Sequence, residues 1–214
     1  MQLLTTGDGS HTLYSPAFNE SYHSRHGALT ESKYVFIQQG LEYLNRSPLS
    51  VLEVGFGTGL NAWLAIQFAA KHNIGMAYTG YELFPLKEET IEAINYAATD
   101  RDSFMQLHRW EWNKTHHTPF GASFLKIQES FLTATLPSTY TICFFDAFSP
   151  EKQPELWEPG VFQKIFNALE PGGVLVTYCA KGYVRRNLIA AGFVVERLPG
   201  PPGKRQMIRA LKPL

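Results

Sequence analysis

The segment Val51-Leu52-Glu53-Val54-Gly55-Phe56-Gly57-Thr58-Gly59 carries an apolar run into an acid and then into glycines at alternate positions, and Leu60-Asn61-Ala62 starts a helical pattern. This is how a buried parallel strand turns tightly into a helix, leaving bare backbone at the turn for a ligand to touch. A chain built around such a turn is committed to a sheet fed alternately by strands and helices. The remaining pattern agrees. Strands are expected at 51–55, 76–81, 123–128, 141–146, 173–178, 193–197 and 206–211, and helices at 60–71, 85–95, 160–169 and 183–191. Glu170-Pro171-Gly172-Gly173 stops the third of these helices. Gly200-Pro201-Pro202-Gly203 joins the last two strands closely enough for an antiparallel return. The fold class is therefore α/β: a doubly wound, Rossmann-like sheet with a reversed last strand.

Two regions fall outside that alternation. Residues 1–48 read as an N-terminal extension: a hairpin and loop over 1–28, then a helix from about Glu31 to Leu44, leaving 49–214 as the ligand-binding domain. Residues 100–120, with Trp110, Trp112, His116, His117 and Pro119, read as an irregular insertion, either bearing specificity or simply folded back on the body.

At 214 residues, 44% hydrophobic and 18% charged, the chain has enough apolar residues for one full core. It contains no apolar run of about 18 residues to span a bilayer, and Met1–Ser10 lacks the basic-then-apolar pattern of a signal peptide. The two cysteines, Cys143 and Cys179, sit in or beside apolar runs and read as core thiols of a reducing compartment, so a cytoplasmic location is expected. No Cys-x-x-Cys pair suggests zinc, and His23, His26, His116 and His117 read as surface histidines, so no metal is expected. Nineteen basic residues balance nineteen acidic ones, so any contact with nucleic acid must be local. The candidates are Lys181, Arg185, Arg186, Lys204, Arg205 and Arg209.

In open α/β sheets, ligands bind beyond the carboxyl ends of the strands. Glu53, Glu82, Glu129 and Asp146 all fall at or near such ends, so the expected rim is rich in acid. A phosphate loop would place a lysine after the glycines, where this chain has Leu60-Asn61. A dinucleotide fingerprint would place its last glycine at Leu60. The rim suits a ligand with a ribose, an adenine and a cationic reacting centre but no phosphate, and S-adenosylmethionine answers that description. Glu82 would accept the ribose hydroxyls and Glu129 would meet the adenine amino group. The cofactor contacts are assigned to Glu53, Gly55, Phe56, Gly57, Thr58, Gly59, Asn61, Glu82, Leu83, Gln128, Glu129 and Asp146. Glu53 and the glycine turn together resemble motif I of class I methyltransferases.

Longer blocks carry a closer resemblance. Asp146-Ala147-Phe148-Ser149-Pro150 with Lys152-Gln153-Pro154-Glu155-Leu156-Trp157 resembles the D-x-F-x-P-x-K-x-P-x-x-W signature of the MnmC/MnmD tRNA methyltransferases. Glu53-x-Gly55-Phe56-Gly57-Thr58-Gly59-x-Asn61, the Ser24…Gly27…Glu31-Ser32-x-Tyr34-Val35-Phe36 block and Gly203-Lys204-Arg205-Gln206-Met207 are similar too, although Gln206 stands where that family usually has Glu. The resemblance implies methyl transfer to the exocyclic amine of 5-aminomethyl-2-thiouridine at the tRNA wobble position 34. It implies no metal, with Asp146 as the catalytic group that accepts the amine proton. Phe148, Tyr178, Lys181, Arg185, Lys204 and Arg205 would contact the RNA, with Phe148, Trp157 and Tyr178 as possible stacking surfaces or mere packing. Bifunctional members also carry an FAD-dependent oxidase domain, which 214 residues cannot hold, so a separate oxidase partner is implied. The rival readings are a methyltransferase acting on a small-molecule amine, a non-catalytic module binding RNA or cofactor, and, disfavoured by the glycine spacing, a nicotinamide dehydrogenase.

Overall fold

The computed structural model describes residues 1–97, 99–118, 121–136 and 140–214. A small antiparallel sheet opens the chain: β1 (Gln2–Thr5), β2 (His11–Ser15) and β3 (Glu20–Ser21). α1 (Ala28–Ser32) runs directly into a π-helical stretch, Lys33–Glu42. Next come β4 (Leu49–Val54), α2 (Leu60–His72), β5 (Met76–Glu82), α3 (Glu88–Glu92), α4 (Arg101–Arg109), β6 (Thr115–His117), β7 (Ser123–Gln128) and β8 (Tyr140–Phe145). A 3₁₀ turn, Pro154–Trp157, leads to α5 (Pro159–Ala168), β9 (Leu169–Thr177), α6 (Gly182–Ala190), β10 (Val194–Pro199) and β11 (Gln206–Leu211).

The main sheet has the order β10-β11-β9-β8-β4-β5-β7-β6. β4, β5, β7, β8 and β9 pair in parallel, and β11 is inserted antiparallel between β9 and β10. From β4 the chain winds outward through β5 to β7, then returns to lay β8 on the other side of β4. That reversal puts the crevice at the carboxyl ends of β4 and β8.

Strand alternation sends side chains to two cores, one on each face. Ile142 and Phe144 join Val51, Val176 and the π-helical residues Val35 and Phe36 on one face; Cys143 and Phe145 join Leu52, Leu175, Phe162 and Trp157 on the other. β8 is buried along its whole length, as expected of a strand covered on both faces. Each large apolar side chain so enclosed contributes about 1.5–3 kcal/mol. Both cysteines are buried free thiols. Among the described residues, no helix is long and apolar enough to cross a membrane.

Several expectations need correction. The stretch over 100–120 is not irregular: it supplies α4 and β6, and β6 is a second reversed strand, antiparallel to β7. Phe104, Met105 and Leu107 form the buried stripe of α4, thin enough among polar neighbours to be missed. Pro119 lies outside the described residues. The helix expected at 85–95 is reduced to α3, and the one expected from Glu31 starts at Ala28. The Glu170–Gly173 stretch that stops α5 is already within β9, entered directly at Leu169. The N-terminal hairpin is a three-stranded sheet, and its Leu13 shares a core with Leu60 and Trp63 of α2.

Candidate functional site

The turn after β4 is held from two sides. The Gly55 and Phe56 N–H groups donate to the Tyr81 carbonyl at 3.1 and 3.0 Å, and the Asp146 N–H donates to the Val54 carbonyl at 3.0 Å. Gly55 has φ +89, and a Cβ there would lie 2.6 Å from the Asp146 carbonyl oxygen. Glycine is therefore required here both by conformation and by the approach of the two strand ends. Gly55→Ala is expected to cost about 1–3 kcal/mol and to push Asp146 out of place; chemical denaturation together with S-adenosylhomocysteine affinity checks both effects.

Glu82, at the end of β5, closes the turn. One carboxylate oxygen accepts the Gly57 N–H and the other the Phe84 N–H, each at 2.9 Å. Its carboxylate borders a cavity lined by Gly55, Phe56, Gly57, Thr58, Tyr81, Leu83, Phe84, Glu129, Leu132, Asp146, Ala147 and Phe148. Glu129 is exposed at the rim and Asp146 opens onto the cavity. Among the described residues lining it, none is lysine or arginine.

Not every predicted cofactor residue faces this cavity. Glu53 shares the face of Val51, points under α2 and is fully buried. Asn61 is buried in the first turn of α2, where its Nδ2 donates to Glu53 Oε1 at 3.1 Å and to Asp146 Oδ2 at 2.8 Å. Of the four predicted rim acids, Glu82, Glu129 and Asp146 line the cavity, joined there by Glu155, and Glu53 lies beneath them. Gly59 backs onto the His108 ring, and Gln128 is exposed away from the cavity, its N–H bonded to Asn113. Burial pushes the Asp146 carboxyl up to about 7, helped by Glu31 and opposed by the Asn61 amide and Lys204. Burial also holds Glu53 well above the carboxylate range; the Tyr78 hydroxyl offsets this in part, and Asp146 reinforces it.

The N-terminal extension supplies a wall that sequence reading missed. Phe18, Tyr22 and His23 line the cavity. Phe18 stacks on Phe148 at 4.3 Å, and Tyr22 meets Phe148 edge-on at 4.9 Å. The Glu20 carboxylate accepts both the N–H and the hydroxyl of Ser149 at 2.9 Å, fastening β3 to the Asp146–Pro150 loop. His23 is not a surface histidine: it is buried, its Nε2 lies 2.8 Å from the Thr58 hydroxyl, and burial lowers its pKa to about 4. The aromatic run around Tyr22 was the available signal, but nothing local showed which loop it would cover.

Beyond Phe148 lies a second cleft, lined by Tyr22, Ser24, Ala147, Phe148, Tyr178 and Lys204. The Tyr178 hydroxyl donates to the Ala147 carbonyl at 2.9 Å, and Lys204 Nζ lies 3.7 Å from the Tyr178 ring centroid. Lys204 is also ion-paired with the buried Glu31, so it is a clamped cation rather than a loose surface charge. Lys181 pairs with Glu151, Arg185 is half-buried, and Arg186 and Arg205 are exposed. Arg209 leaves the basic group: it is buried in β11 and paired with Glu196. Trp157 is core, its indole N–H donating to the Phe148 carbonyl at 2.8 Å.

The donor set fits S-adenosylmethionine. The cavity offers the Glu82 carboxylate as an acceptor that could meet ribose hydroxyls and the exposed apolar Leu83, Phe84 and Leu132 as a face that could meet an adenine, with no lining cation among the described residues. Residues 119–213 match the family described as S-adenosyl-L-methionine-dependent methyltransferase. That stretch belongs to the S-adenosylmethionine-dependent methyltransferases. The whole length of the chain superposes on the crystal structure of MNMC2 from Aquifex aeolicus with a TM-score of 0.82, at 26% identity and covering 72% of that chain. Spermidine synthase from Thermotoga maritima, 11% identical with a TM-score of 0.58 over 95% of this chain and 68% of its own, shares the fold alone.

Two curated relatives are tRNA 5-methylaminomethyl-2-thiouridine biosynthesis bifunctional proteins MnmC. The one from Nitrosospira multiformis is 32% identical over 92% of this methyltransferase, and the one from Aromatoleum aromaticum 33% identical over 97%. This chain spans 35% of the length of each.

Proposed function

We propose that this methyltransferase acts on the exocyclic amine of 5-aminomethyl-2-thiouridine at the wobble position of tRNA, giving the 5-methylaminomethyl product. The reading rests on one observation above all. The Asp146–Pro150 block, similar to the signature of the MnmC/MnmD methyltransferases, turns its acid to the donor cavity while Ala147 and Phe148 wall both that cavity and the adjoining cleft.

S-adenosylmethionine, when bound, supplies a methyl group on a sulfonium. Glu82, Leu83, Gly57 and Glu129 would hold it. The acceptor arrives as an ammonium with a pKa of about 10 and no lone pair. Asp146 would take a proton from it and so free the nitrogen pair for the methyl group that a bound donor would supply, the sulfur keeping the electrons of the bond it gives up. In-line attack requires position more than force, and Phe148 and Tyr178 offer faces on which a flipped base would stack. The test is mass spectrometry of wobble nucleosides from aminomethyl-bearing tRNA incubated with the protein and S-adenosylmethionine. A mass gain of one methyl on that nucleoside supports the reading, and none overturns it.

The RNA would be met by Lys181, Arg185, Arg186, Lys204 and Arg205, which follow strand ends on the same side of the sheet as the two clefts. Because Lys204 is tied to Glu31, the cleaner probe of RNA binding is the exposed pair Arg186→Glu with Arg205→Glu. Affinity for tRNA should fall about tenfold or more, and the slope of log K against log salt should flatten by roughly 0.7–0.9 for each phosphate that the two arginines neutralise. The zero net charge favours a small-molecule amine as acceptor; a wild-type affinity insensitive to salt would support that second reading. A cytoplasmic location, and a separate FAD-dependent oxidase that prepares the aminomethyl group, belong to the same proposal.

A further inference from the structure

We infer that Asn61 is a positioning residue: it holds one oxygen of Asp146 so that the other remains turned to the substrate amine, and Glu53 fixes Asn61 in that orientation. The inference rests on the reading of Asp146 as the proton acceptor. Both hydrogens of the Asn61 Nδ2 are taken by carboxyl groups, Glu53 Oε1 at 3.1 Å and Asp146 Oδ2 at 2.8 Å. The amide orientation is dictated by its neighbours, because the reverse would set its oxygen against the Asp146 carboxylate oxygen at 2.8 Å. Asn61 and Glu53 are 2% and 0% exposed and neither lines the donor cavity, so neither is placed to touch a ligand there.

The placement follows from strand parity. Glu53 faces the side of Val51, Asp146 the side of Phe144, and the first turn of α2 crosses that face, so the Asn61 amide reaches both. Asn61 Oδ1 is buried without a partner among the described residues, while the Tyr78 hydroxyl acts on the Glu53 carboxyl. Leaving a buried amide oxygen unpaired is poor for stability, and the arrangement is better accounted for by what it holds in place. Burial raises the Glu53 carboxyl well above the usual carboxylate range, so the anchor of the amide resists placing a second negative charge beside Asp146.

The test uses the full chain with aminomethyl-bearing tRNA. Asn61→Ala should lower kcat roughly 10–100-fold and move the acid limb of its pH profile about one unit upward, since a donor to the charged carboxylate is lost. The Kd for S-adenosylhomocysteine should stay within about threefold. Glu53→Leu should give a smaller loss in the same direction. In the wild type, which requires no altered chain to fold, the Asn61 side-chain amide resonance should titrate together with that acid limb. An amide signal flat across the limb, or an Asn61→Ala enzyme with unmoved kcat and pH profile, overturns the inference. So does a loss of S-adenosylhomocysteine affinity as large as the loss of kcat. If Asp146→Asn also stays fully active, the proton-acceptor reading itself fails; if it is inactive, only the role of Asn61 does.

Discussion

Asp146→Asn is expected to lose roughly 10²–10⁴ of turnover on aminomethyl-bearing tRNA, with affinity for S-adenosylhomocysteine nearly unchanged. Asparagine keeps the size of the side chain and its contact with Asn61 but cannot take a proton. The wild-type kcat/KM should rise with pH through about 7, because burial raises the Asp146 carboxyl from 3.8 to that value and only its ionised form is a base. The same shift acts on stability with the opposite sense. A carboxyl whose folded pKa exceeds its unfolded one binds its proton more tightly when folded, so its contribution to stability declines as pH rises from about 4 through about 7. Asp146→Asn should therefore melt at a higher temperature than wild type above pH 7, and the difference should shrink toward pH 4. Full activity in this variant would remove Asp146 from the chemistry.

Glu82→Ala should act on the other substrate. In the proposed reading its carboxylate accepts two ribose hydroxyls, and hydrogen bonds to a charged group contribute about 1.5–3 kcal/mol. It also accepts the Gly57 and Phe84 N–H groups at 2.9 Å, so alanine leaves the glycine turn without its brace. The Kd for S-adenosylhomocysteine, measured by calorimetry, should rise about 10–100-fold, with a smaller fall in kcat at saturating donor. An unchanged Kd would place the ribose elsewhere. Together the two variants separate the roles: one acid loses the chemical step, the other loses the donor.

Much of the sheet was legible in the chain. Strands at 123–128 and 206–211 fall where alternation and apolar runs put them, and the glycine turn after Val54 marked the crevice. Those signals are local: a strand between turn residues, or glycines at positive φ, states its conformation in a few neighbouring residues. α4 and β6 were not legible, because α4 buries a thin stripe in a polar segment and β6 is a three-residue strand at the sheet edge. The site was legible by residue type and only partly by position. Glu53, Glu82, Glu129 and Asp146 follow the strand ends as expected, yet Glu53 points beneath α2 while the other three border the cavity.

The sequence by itself determined the strand–turn–helix seat, the acids around it, the preference for a donor without phosphate, and a resemblance that names an acceptor. The tertiary structure alone decided which groups meet. Glu20 clasps Ser149 from 129 residues away, Lys204 reaches Glu31 across 173, and Asn61 reaches Asp146 across 85. Alternation along a strand tells which face a side chain takes, but not which distant segment will cover that face. That depends on strand order and register, set by pairing between residues far apart in the chain. The glycine turn could therefore announce a ligand, while the wall formed by Phe18, Tyr22 and His23 came into view only once the chain had closed over it.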